Sequence, residues 1–129
     1  MTKFELFCVI FFALDSEWEK SHDEDLGLFL SDVNPFWWAD IASADPAMWS
    51  EFCRKIPSEE ILVEESYSVA SKYIEDLNYY YAEAVRKAFH VISKEQWLEG
   101  VNKYLSQPHK NIKCKDLRRE NNAHCKIIQ

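Results

Sequence analysis

Four of the residues best able to hold a transition metal, His109, Cys114, His124 and Cys125, gather near the end of this chain. Zinc takes four nitrogen or sulfur donors, usually in paired close spacings held by tight turns. The spacings here match no such pattern, and no glycine lies among them to turn the chain. No metal and no other cofactor is expected. Glu19 and His22 have the Glu-x-x-His spacing of di-iron bundles, but those sites need the motif twice, with two further glutamates. Nucleophilic chemistry fares no better. There is no Gly-x-Ser-x-Gly turn, and a phosphate-cradling loop cannot be built from Gly27 and Gly100 alone. His90 stands between Phe89 and Val91 without an evident companion. Carboxylate pairs such as Asp23/Asp25 and Glu64/Glu65 read as solvated helix faces. No catalytic residue is assigned, and the chain is not read as an enzyme.

The chemistry the residues do suggest is recognition. Residues 34–52, NPFWWADIASADPAMWSEF, hold three of the five tryptophans among acidic groups. Trp37 and Trp38 are neighbours, about 100° apart on a helix, so one of them is expected to be partly exposed. An exposed indole beside Asp40 and Asp45 has the character of an interface anchor. Glu59, Glu60, Glu64 and Glu65 would extend the acidic surface. Tyr79-Tyr80-Tyr81 sweeps about 200° if helical, so at least one phenol should reach solvent.

The net charge is −7 over 129 residues, unevenly placed. From Asn111 onward five basic residues oppose two acidic ones, leaving about −10 on the rest. Such a body repels nucleic acid and anionic lipid, and attracts a basic protein. The four cysteines are scattered, with Cys8 and Cys53 in apolar runs, which suits a reduced, cytoplasmic compartment. The run FELFCVIFFAL contains Glu5, lacks a following cleavage site and is too short to span a bilayer.

Two glycines and four prolines cannot supply the turns of a sheet protein. The expected fold is all-α, a single-domain bundle of five or six helices. Phe4, Phe7, Phe11, Leu14 and Trp18 recur at helical spacing, and the residues between widen the stripe to most of the circumference. A helix over about residues 3–19 should therefore run buried through the core. Ser21 and Glu24 have capping-box spacing for a short second helix ending near Ser31. Asn34-Pro35 and Asp45-Pro46 are two helix starts built alike. Ser58 should open the next helical stretch, to residue 92, bent or broken near Asp76-Leu77-Asn78. Ser93 and Gln96 form another capping box, and Pro108 closes the last helix. Residues 1–108 are read as the helical domain and 109–129 as a basic, flexible tail.

The segment LFLSDVNPFWWADIASADPAMWSEFCRKI resembles small acidic helical bacterial proteins, among them immunity proteins of contact-dependent growth inhibition and related toxin systems. The resemblance covers about residues 26–56, of which the quoted segment is 28–56, and transfers no functional residue. It implies a cytoplasmic antidote that occludes the active site of a cognate basic toxin, a nuclease above all. The chain would act as a monomer or weak dimer, without membrane or nucleic-acid partners. A structural or regulatory helical interaction module of unknown partner, without catalytic activity, is the second expectation, and a small-molecule-binding bundle or enzyme the third.

Overall fold

A computed structural model describes residues 1–36 and 43–107. The described chain is all-helical. The helices are α1 (Lys3–Ser21), α2 (Glu24–Val33), α3 (Pro46–Lys55), α4 (Ser66–Glu75), α5 (Ala82–His90) and α6 (Lys94–Leu105). A short 3-10 turn, Val63–Glu65, leads into α4. The described residues contain no sheet, only an isolated antiparallel bridge between Thr2 and Glu60.

α1 is the axis. Seven successive residues, Glu5–Phe11, are buried, which at 100° per residue encircles the helix. Over those residues the helix has no solvent face and must be covered from every side. α2, α4, α5 and α6 pack on it. α3 covers the remaining face with aromatic rings: Trp49 meets Phe4 and Phe7, and Phe52 meets Phe7. The buried polar residues at the start of α1 are provided for. Glu5 and Thr2 cap one another in a reciprocal box, and Lys3 reaches Glu59 at 3.3 Å.

The helix starts follow local chemistry with two exceptions. Asp45 caps α3 with Pro46 in its first turn, and Ser93 and Gln96 form the α6 box, as the sequence implies. For α2 the cap is Asp23, whose carboxylate accepts from Leu26 N at 2.9 Å. Ser21 belongs to the end of α1 and accepts from Asp23 N. Ser58 opens no helix. Residues 59–61 are drawn alongside 1–3 by Lys3 N donating to Glu59 O and Ile61 N donating to Met1 O, and α4 begins only at Ser66. The expected break near Asp76 is present: α4 and α5 are separate helices. The other expected helix start, at Asn34-Pro35 between α2 and α3, runs into residues outside those described, as does the tail after Gln107.

Ser66 ties three elements. Its hydroxyl donates to Val63 O at 2.6 Å and accepts the indole N–H of Trp97 at 2.9 Å, both partners being buried or nearly so. Ser66→Ala should cost about 1–3 kcal/mol by stranding that buried donor, measured by chemical denaturation. The two glycines make a second comparison. A Cβ at Gly27 would stand 3.0 Å from Nε1 of Trp18, while one at Gly100 meets nothing within 4 Å. Gly100→Ala should therefore stabilise by up to about 1 kcal/mol through helix propensity. Gly27→Ala should gain less, because the indole must move aside.

Candidate interaction site: a braced tyrosine corner

Helix propensity lapses at Asp76-Leu77-Asn78, and the chain between α4 and α5 becomes a tight connection carrying Tyr79, Tyr80 and Tyr81. The three tyrosines are thus in a turn and not on a helix, which changes how they are displayed. Tyr81 is buried, Tyr79 is half-buried, and Tyr80 is 76% exposed.

The connection is fastened from several sides. The Tyr79 hydroxyl donates to Oε2 of Glu51 on α3 at 2.8 Å. The other Glu51 oxygen faces Lys55 at 3.3 Å, and Lys55 Nζ donates onward to the carbonyl of Asp76 at 2.8 Å. Arg86 on α5 donates to the carbonyls of Glu75 and Leu77, each at 3.1 Å. These cations satisfy carbonyls left open where α4 ends. Tyr81 turns inward, donates to Oδ2 of Asp32 on α2 at 3.2 Å and packs edge-on against Phe29. Tyr80 lies 5.0 Å from the Tyr81 ring, so an exposed ring rests on a fixed one.

α2 and α3 converge on the same corner. The backbone of Asp45 donates to the carbonyl of Asp32 at 2.9 Å, and the exposed Asp45 carboxylate caps α3 through Ala47 N at 3.0 Å. Buried Ser43 donates to the Asp45 carbonyl and accepts from Trp49 N at 3.0 Å, which sets the chain's entry into α3. Asp32, Asp45 and Glu51 therefore lie about the tyrosine connection, with Lys55 and Arg86 beneath it engaged in holding the backbone.

The ionisable groups record this packing. Glu51 is held below the usual carboxylate range: burial works against that, but the bonds from Tyr79 and Lys55 outweigh it. The bond to Glu51, then burial, raises Tyr79 to about 12. Burial, followed by the Asp32 charge, pushes Tyr81 above the ordinary phenol value. Burial raises Tyr73 as well, with Glu51 and Tyr79 adding to it. The Tyr73 hydroxyl is buried without a hydrogen-bond partner among the described residues, while its ring lies under Lys55 and against Phe52.

Of the residues singled out in the sequence, Asp45 belongs to this corner. Glu59, Glu60, Glu64 and Glu65 are exposed but elsewhere. Asp45 caps the start of α3, whereas Glu59 and Glu60 follow its end, about 15 Å away at helical rise. Glu59 is also engaged by Lys3, and Glu64 and Glu65 sit in the 3-10 turn. Trp37, Trp38 and Asp40 lie outside the described residues. Asp32, Tyr79 and Tyr81 were not legible as one site, since their pairings span 28 and 49 positions. Among the described residues no group of three His, Cys, Asp or Glu side chains could hold a metal ion. No helix there is long and apolar enough to cross a membrane. His90 faces Glu75 at 2.7 Å on the surface, joining α5 to α4.

Comparison with protein-family models, curated proteins and solved structures finds no match to the chain.

The Glu51 bond can be read directly by titration. A phenol raised in the folded state favours folding below its unfolded value near 10 and loses that contribution as pH climbs toward 12. Glu51→Gln removes the charge, so Tyr79 should ionise closer to 10. The loss of stability between about pH 10 and 12 should then be smaller than in the wild type, as followed by tyrosinate absorbance and circular dichroism.

Proposed function

We propose that this chain is a protein-binding module that works by occlusion and not by catalysis. Its concrete role would be that of an immunity protein, which covers the active-site cleft of a cognate basic toxin, a nuclease above all. The observation that carries the reading is Tyr80, a largely exposed aromatic side chain on a connection fastened to α2, α3 and α5. Binding surfaces draw most of their energy from a few aromatic or arginine anchors. An anchor whose backbone is already fixed loses little conformational freedom on docking. Asp32, Asp45 and Glu51 around it complement a basic surface, and the acidic body outside the tail steers such a partner toward it. Trp37, Trp38 and Asp40 belong to the same proposal by sequence alone, through the acidic and aromatic run they share with Asp45.

The test is co-expression with the product of the adjacent gene, scored for rescue of growth and for a purified complex. Tyr80→Ala should weaken the complex by about 2 kcal/mol or more, roughly thirtyfold. Asp45→Asn keeps the α3 cap but removes the charge. It should chiefly slow association, and the difference from wild type should shrink as salt is added. Failure to rescue, with no complex formed, would remove the antidote reading. A complex indifferent to Tyr80 and Asp45 would move the docking surface elsewhere.

A further inference from the structure

α1 and α6 lie side by side, in contact through Phe12 and Tyr104. Between them is an open cleft of about 400 Å³, lined by neither the tyrosine connection nor the acidic groups around it. α1 contributes one stripe, Val9, Phe12, Ala13, Ser16 and Glu17. α6 contributes another, from Gln96 through Gly100 to Tyr104, with Gln107 just beyond its end. At helical rise each stripe runs about 12 Å, so the space is elongated.

The floor is apolar. The Phe12 ring stands 5.8 Å from Tyr104 and 5.5 Å from Phe36. Trp97 also lines the cleft, and its indole N–H is already given to Ser66, so it offers a guest only ring carbon. The rim is polar. Ser16, Gln96 and Gln107 are neutral, and Glu17 is neutralised by Lys20 at 3.1 Å. Lys103 is exposed and forms no ion pair among the described residues. The cleft's unbalanced charge is therefore positive, within a chain that is acidic overall.

Gly100 supplies an independent observation. Glycine inside a helix weakens it relative to alanine. No glycine here has a positive φ, and an added Cβ at Gly100 touches nothing. Neither backbone geometry nor packing against described residues calls for glycine. What it leaves is room over the α6 backbone, one turn from Lys103 and on the cleft side.

We propose that this cleft binds a small, elongated organic acid, its aliphatic or aryl body lying between α1 and α6 and its carboxylate meeting Lys103. The volume falls within the roughly 300–1,000 Å³ of small-molecule sites. The proposal is independent of the docking role of the tyrosine corner.

The full chain offers a built-in control, because Gly27 and Gly100 are its two glycines. Their amide resonances are followed while decanoate, decanol or decyltrimethylammonium is added below its aggregation concentration. The Gly100 signal should move saturably with decanoate while Gly27 stays still. Decyltrimethylammonium should bind about fivefold more weakly or less, the scale of one exposed ion pair. Lys103→Gln should erase the preference for the acid over decanol. Gly100→Leu fills the cleft and should abolish decanoate binding by calorimetry, with the helical spectrum retained. A Gly100 signal that does not move, or that moves in parallel with Gly27 without saturating, would overturn the proposal. So would unchanged affinity in Gly100→Leu, or an acid preference that survives Lys103→Gln.

Discussion

The fold depends on covering α1. A helix buried around its whole circumference over Glu5–Phe11 leaves its neighbours little choice of position. Each must bring an apolar face to a different side of the same cylinder, and each large apolar side chain so buried contributes roughly 1.5–3 kcal/mol. α2, α4, α5 and α6 are amphipathic and supply one face each. α3 supplies aromatic rings at Phe4 and Phe7. The connections are then fixed by where the covering helices must start and stop. That is why residues 59–61 are pulled alongside the start of α1 and not wound into a helix.

The same constraint creates the tyrosine corner. α4 and α5 cover α1 together only if the chain reverses between them, and the reversal falls where helix propensity is poorest. A reversal leaves carbonyls without intrahelical partners, and Lys55 and Arg86 answer three of them. Tyr79 and Tyr81 fasten the remainder to α3 and α2 through carboxylates. Once its neighbours on both sides face inward, Tyr80 has only solvent to face. Its exposure is thus a consequence of the bracing, and the proposed docking role rests on that exposed aromatic beside carboxylates.

Local features of the sequence carried over into the structure where a short-range interaction decides them. The Asp45-Pro46 start and the Ser93/Gln96 box depend on atoms within three residues, and the period of Phe4 to Trp18 needs only one helix. The reading of Ser21 and Ser58 as caps went astray because each competed with something the pattern does not contain. Asp23 offers α2 a nearer acceptor, and the segment after Ser58 is claimed by the first residues of the chain. For the site, a surface phenol within Tyr79–Tyr81 could be foreseen, but not which one. A helical sweep was the wrong frame for residues that lie in a turn.

By itself, then, the sequence determined the helical class, the buried first helix, the starts of α1, α3 and α6 and the acidic sign of the net charge, because periodicity, capping and charge are local or additive. Only the tertiary structure decided that Asp45 shares a corner with Asp32 and Glu51 while Glu59, Glu60, Glu64 and Glu65 lie apart from it. It alone decided that Tyr80 is the outward ring and that Gly100 opens onto a cleft. Each of these depends on how helices distant in sequence meet over α1, and a side chain's neighbours across that packing leave no mark on its own stretch of chain.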